Sequence, residues 1–298
     1  MRSKLFCIRC DNCGSEYRIS SRGEMNCAFC GSKIYLNDKD FEEYQKVRDE
    51  MLMLDKTEND NVNNQGDYLN LWNNECNVTF EAPNGQMISC DYVYMYKKSS
   101  KTIYVCRNKI VVIYNRPADY NKVVDNLGSI VYPSADIKNM SKYFPTIVMN
   151  IDLKDGRILV VYEKFENIYP IEILSGIDAK SVAWMISRME NIGCLLNFND
   201  FDFYEMSITD FYFNPKTHEV FLFDGLENLY RNSQCPVANY LRKIREFAKE
   251  IMDESSAPQK CMDFLNNEAT KDAYTDFNNW DDVIMTGFNG HNYHKFIL

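Results

Sequence analysis

The chain has 298 residues, 45% hydrophobic and 26% charged, with a net charge of −10. That length allows a body of about 200 residues plus a small appendage, and the apolar share is enough to build a buried core. The acidic balance argues against a general nucleic-acid binder, which needs clustered Lys and Arg. No apolar run reaches the roughly 18 residues of a membrane span.

The first residues also lack the long apolar stretch of a signal peptide, so a cytoplasmic protein is expected. Five of the eleven cysteines fall within residues 7–30. The other six, Cys76, Cys90, Cys106, Cys194, Cys235 and Cys261, are scattered in mostly apolar surroundings. In a reducing compartment that pattern reads as one metal site plus free core thiols.

Residues 1–36 read as a zinc ribbon. Cys10 and Cys13 form one Cys-x2-Cys pair and Cys27 and Cys30 another, each followed by a glycine, Gly14 or Gly31. This spacing lets two thiolates from one tight turn reach a tetrahedral ion at about 2.3 Å. The glycine supplies the permissive backbone that the turn needs. Short strands are expected at 15–19 and 32–36. Four thiolates close the coordination sphere, so one structural Zn2+ is expected, folding the module without catalysing. Cys7 is a spare thiol that offers a rival pair with Cys10. Arg2, Lys4, Arg9, Arg18, Arg22 and Lys33 outnumber Asp11, Glu16 and Glu24, a small local basic excess. A ribbon of this size docks a protein partner or a nucleic acid.

Residues 37–70 are a helical linker and hinge. Asp38 or Asp40 can cap a helix in which Phe41, Tyr44, Val47, Met51 and Leu54 make an apolar stripe. Residues 59–66 are polar and aperiodic, the natural hinge.

From residue 71 the chain is strand-rich. Strands are expected at 77–80, 92–96, 102–106, 110–114 and 157–162, with hairpin turns at Asn84-Gly85 and Asp155-Gly156 and a helix over about 119–130. After residue 176 the pattern becomes helical. Asp178 caps a helix carrying Val182, Met185, Ile186, Met189, Ile192 and Leu195, and a second helix is expected over 239–252. Strands first and helices later give an α+β domain of two lobes, about 71–166 and 167–298. The aromatic residues Phe201, Phe203, Tyr204, Phe211, Tyr212 and Phe213 are expected in its core. The three histidines, His218, His291 and His294, are expected to serve the surface or packing.

The stretch 176–189 around Trp184 resembles the C-lobe of protein-kinase-like proteins, as does 213–225, where Val220, Phe221, Leu222 and Phe223 precede Asp224 and Gly225. The likeness is to a divergent bacterial and phage group, some of whose members are described as J-domain chaperones or serine/threonine kinases. The tail from Trp280 to Phe296 is similar to the end of that group. The resemblance spans roughly residues 76–298 and leaves the ribbon outside. It implies a two-lobed kinase-like fold in which Asp224 takes the position of the metal-binding aspartate of the Asp-Phe-Gly turn, although Gly follows it directly. Glu205 falls where the catalytic-loop aspartate would stand, and Asp210 where its asparagine would.

The strand 110–114 carries no lysine for the phosphates. Lys109 lies just outside it, and Asp125 is the candidate acid to pair with such a lysine. No Gly-rich loop precedes these strands. The resemblance therefore implies a catalytically inactive kinase-like protein, a pseudokinase that binds or scaffolds a protein partner and holds no ATP or Mg2+. Its origin would be bacterial or phage, in the latter case in the host cytoplasm. One alternative is an atypical metal-dependent kinase or nucleotide transferase using Glu205, Asp210 and Asp224. Another is a nucleic-acid-associated factor led by its ribbon.

Overall fold

In the computed structural model, the described residues are 8–9, 16–17, 23–26, 32–36, 42, 68–134, 137–291 and 296. The four cysteines of the expected zinc site lie outside them, as do nearly all of the linker and His294. Two short antiparallel hairpins are described near the start. β1 (Ile8–Arg9) pairs with β2 (Glu16–Tyr17), and β3 (Gly23–Asn26) with β4 (Lys33–Leu36). β2 and β4 fall inside the two strands expected there.

The N-terminal part of the main body is a five-stranded antiparallel sheet with a hairpin laid over it. The hairpin joins β5 (Cys76–Glu81) to β6 (Met87–Tyr92). It turns at Gly85, whose φ of +82° is open to glycine without strain. The sheet contains β7 (Tyr94–Lys97), β8 (Lys101–Val105), β9 (Lys109–Tyr114), β10 (Ile147–Asp152) and β11 (Ile158–Glu163), in the order β10-β11-β9-β8-β7. The single strand expected at 92–96 is split. Val93 stands between β6 and β7 and donates its N–H to Val105 O at 2.9 Å, so the chain changes sheets there.

Alternation explains why residues 110–114 are apolar without a break. Successive strand residues point to opposite faces, and β9 is covered on both. Ile110, Val112 and Tyr114 enter the main core, while Val111 and Ile113 enter a second core with Phe80, Cys90, Cys106, Leu159 and Val161 under the hairpin. A central strand buried on both faces reads as a continuous apolar run.

Between β9 and β10 runs α1 (Pro117–Ser129), which begins with a proline whose fixed φ suits a first helical position. After β12 (Tyr169–Pro170) comes α2 (Ala179–Phe198). Its N-cap is Asp178, as expected, accepting from Lys180 N and Ser181 N at 3.1 Å. α2 is buried along most of its length and packs against α3 (Ala238–Ile251) and α5 (Ala273–Gly287), with α4 (Gln259–Asn266) beside them.

The C-terminal part is helical, but not wholly so. Four short strands cross it: β13 (Phe201–Phe203), β14 (Phe211–Asn214), β15 (Glu219–Leu222) and β16 (Leu229–Arg231). Phe201, Phe203, Phe211, Tyr212 and Phe213 are core residues, whereas Tyr204 is 73% exposed and stacks on Tyr230. The result is a mixed α+β body, β-rich first and helical later. Among the described residues no helix is long and apolar enough to cross a membrane.

Candidate functional site

The site begins at the tip of the β7–β8 hairpin. Lys98 N donates to Lys101 O at 2.9 Å, closing a tight turn over Ser99 and Ser100. In β8 the alternation points Lys101, Ile103 and Val105 inward together. Lys101 is thus a charged residue in phase with a core face, with 0% exposure. An ammonium in that position is tolerated only when paired. Its Nζ pairs with Asp224 and with Glu227, the latter at 2.5 Å, and lies 5.2 Å from the centre of the Tyr114 ring. Lys98 reaches from the turn to Asp210 and to Asp224, at 2.8 Å from the latter.

The carboxylates come from two turns that are bonded to one another. Asp210 ends a short 3-10 helix (Ile208–Asp210) capped by Ser207, and its Oδ2 accepts from Ser207 N at 2.8 Å. Asp210 O accepts from Phe223 N at 3.0 Å and Asp224 N at 3.3 Å. Gly225 has a φ of +80°, and a Cβ there would sit 2.8 Å from Asp210 Oδ2. Two independent constraints therefore demand glycine after Asp224: the left-handed backbone and the carboxylate lying against it. Glu227 follows in the 3-10 helix Leu226–Asn228. Asn126 of α1 donates to Leu226 O at 2.7 Å and Leu229 O at 3.1 Å, tying α1 to this segment.

The electrostatics separate the two aspartates. Burial raises Asp210, and the charge of Asp224 raises it further. Lys98 offsets only part of this, leaving Asp210 pushed up to about 6. Burial opposes ionisation of Asp224 as well, but Lys101 and Lys98 outweigh it and hold that carboxyl down to about 2. Burial alone would lower both lysines. Asp224 and Asp210 raise Lys98 instead, and Asp224 and Glu227 raise Lys101, so both remain cations.

Of the residues singled out in the sequence, Asp210 and Asp224 are brought together through Lys98. Glu205 is exposed and joined to the site only through its backbone carbonyl, which accepts from Asn228 Nδ2 at 3.4 Å. Among the described residues no three His, Cys, Asp or Glu side chains gather as a metal group. Lys109 sits at the far end of β9 from Tyr114, in register with Glu163, and Asp125 is exposed on α1. Strand 110–114 carries no lysine, as read from the sequence, but one reaches the carboxylates from the neighbouring strand, where Lys101 stands opposite Tyr114. Its acid partners are Asp224 and Glu227, and Asp125 is not among them. The residues missed were Lys98, Lys101 and Glu227. The available signal was Lys101 itself, two and four residues before the inward-facing Ile103 and Val105. Elsewhere, His218 is buried and stacks on Trp184, and His291 pairs with Asp281 at 2.8 Å.

A β-rich part followed by a helical part, with a lysine–carboxylate cluster where they meet, is what fold and site define. No protein-family model matches the chain, and no curated protein does. Among solved structures, that of vaccinia related kinase 3 is similar at a TM-score of 0.46 and 9% identity, over 74% of this chain and 94% of that one. The Cydia pomonella granulovirus kinase PK-1 is similar at 0.43 and 10%, over 65% of this chain and 91% of that one. WbdD is similar at 0.44 and 10%, over 65% of this chain. The chain spans only 46% of the length of WbdD.

Proposed function

We propose that this chain is a kinase-like binding or scaffolding protein that does not transfer phosphate, because its own lysines hold the position where phosphate and metal would go. The observation that carries this reading is Lys98, ion-paired from the hairpin tip to both Asp210 and Asp224. In kinase phosphotransfer, divalent ions held by an aspartate and an asparagine neutralise the transferring phosphate. Here the second position is Asp210, and two cations already face three carboxylates across a buried cluster. A Mg2+ ion would have to displace the Lys98 ammonium from both aspartates.

The turn itself supports the same reading. The turn over Ser99 and Ser100 contains no glycine, and Lys98 N is already engaged by Lys101 O. Positioning and electrostatic stabilisation are most of what a kinase contributes to its reaction. In this reading Cys10, Cys13, Cys27 and Cys30 hold one structural Zn2+, and a protein partner docks on ribbon and body.

A second reading, a metal-dependent phosphotransferase, is favoured by one observation. The Lys101–Glu227 pair carries the same charges as the lysine–glutamate pair that active kinases assemble. Melting temperatures with ATP in Mg2+ and then in Mn2+ separate the two. A ligand at about 100 times its dissociation constant adds about 2.7 kcal/mol. The expected result is no shift, in the native chain or in Asp224→Ala. A metal-dependent shift that Asp224→Ala abolishes would establish the second reading and end the first.

A further inference from the structure

The second core, under the β5–β6 hairpin, contains two thiols that the site does not use. Cys90 lies in β6 and Cys106 just past the end of β8, each 3% exposed, with their Sγ atoms 3.3 Å apart. We infer that Cys90 and Cys106 are a reversible redox site, a buried dithiol that a small peroxide converts into a disulfide fastening the hairpin to the five-stranded sheet.

Three observations support it. The first is proximity. The remaining sulfur contacts, Cys90 to Asp91 O at 3.9 Å and Cys106 to Tyr104 O at 3.8 Å, are long, so each thiol has the other as its main partner. The second is an asymmetry between the two thiols. The hydrogen bond from Cys106 outweighs burial and lowers Cys90 below an ordinary thiol, with Lys109 adding to the effect, while the same bond and burial raise Cys106. One thiol is thus prepared to attack and the other to resolve, and it is the thiolate that reacts. The third is placement. The surrounding Phe80, Val111, Ile113, Leu159 and Val161 offer no competing nucleophile, so an oxidised Cys90 meets only Cys106.

The chemistry balances with hydrogen peroxide as oxidant. The Cys90 thiolate attacks one peroxide oxygen, the O–O bond breaks, and a sulfenic acid forms as hydroxide leaves. The Cys106 sulfur then attacks the Cys90 sulfur and expels the second oxygen as hydroxide. The two thiol protons convert both hydroxides to water. Two thiols and one peroxide thus yield one disulfide and two waters, and a dithiol reductant reverses the change.

The test uses the full chain, reduced and then titrated with hydrogen peroxide at near-stoichiometric amounts, with linked cysteines read by peptide mapping. The Cys90 and Cys106 peptides should join before the exposed Cys76 is modified. The oxidised chain should melt at least about 5 °C higher than the reduced one, since the link closes a loop in the unfolded chain. Dithiothreitol should restore the original melting temperature. In Cys106→Ser, whose hydroxyl keeps a hydrogen bond to Cys90, Cys90 should stop at a sulfenic acid that a dimedone probe captures. Oxidation of Cys76 while Cys90 and Cys106 stay reduced would overturn the proposal. So would a link that forms only in urea-unfolded chain.

Discussion

Lys101 and Arg245 are both cations almost wholly shielded from water, yet their surroundings are built differently. Arg245 lies on α3 and uses its fork. Nη1 donates to Phe264 O and Asn267 O at 2.7 Å, Nη2 to both oxygens of Asp276 at 2.8 Å, and the guanidinium lies 3.9 Å from the centre of the Phe264 ring. Asp276 in turn accepts from Thr270 N at 2.9 Å. One side chain thereby joins α3, the end of α4 and α5. Lys101 joins no two helices. Its charge partners, Asp224 and Glu227, sit in irregular segments, and beside it Lys98 keeps 23% exposure. A guanidinium gripping carbonyls in fixed directions specifies a packing; a point charge among carboxylates specifies a charge. In the second cluster two neighbouring aspartates are pushed far apart, Asp210 up to about 6 and Asp224 down to about 2. Poised groups of that kind mark sites more often than scaffolding.

If that contrast is right, breaking the arginine cluster costs most. Arg245→Met keeps the apolar bulk but leaves Asp276 without its cation and two carbonyls orphaned. Urea denaturation at neutral pH should show a loss of about 3–5 kcal/mol. Lys101→Met should cost less, roughly 2–3 kcal/mol, because Lys98 remains to hold Asp224. Equal losses, or a larger one for Lys101, would mean that the hairpin cluster is as much a structural device as the helical one.

Where sequence and structure part company follows from the same distinction. The division into a β-rich and a helical part was legible because patterning is local: the alternation of β8, the apolar run 110–114 in β9 and the Asp178 cap each announce themselves within a few residues. Asp224-Gly225 was legible too, and the structure adds why glycine is needed there. Lys101 was not recognised, because the lysine was sought on strand 110–114. That Lys101 faces Tyr114 is a matter of register between strands, which no single stretch encodes. Glu227 escaped because a three-residue 3-10 turn has no period to detect. Val220, Phe221 and Leu222 of the run before Asp224 do fall in β15, but β10 escaped because most of its residues are exposed, and β13, β14 and β16 because three or four residues are too few for an alternation to show.

The pH dependence sharpens the comparison further. Asp210 in the folded chain titrates near 6, above an ordinary carboxyl. Between about pH 4 and pH 6 the folded state therefore binds more protons than the unfolded state, and stability falls as pH rises through that window. Asp210→Asn has no such proton. The native chain should lose roughly 1–2 kcal/mol across the window relative to the variant, read from urea midpoints at each pH. Asp224, held near 2, should contribute in the opposite sense, its stabilisation fading only as pH falls below about 4. A native-minus-variant difference that stays flat from pH 4 to 6 would show that Lys98 neutralises Asp210 fully.

The smallest effect belongs to Glu190. It is fully buried on α2 against Asp276, and Arg245 is engaged by Asp276. Burial first, and the charge of Asp276 second, push its carboxyl well above the ordinary range, toward the neutral acid. Replacing a neutral carboxyl by an amide of the same shape removes no charge and opens no cavity. Glu190→Gln should therefore change stability by less than about 1 kcal/mol at pH 7. The measurement has leverage because the opposite assignment predicts something different. Were Glu190 ionised, it would share Arg245 with Asp276, and the amide would lose a charge-assisted contact worth about 1.5–3 kcal/mol. A loss of that size would make the helical cluster a three-membered ionic network, and the contrast with the hairpin cluster would then rest on geometry alone.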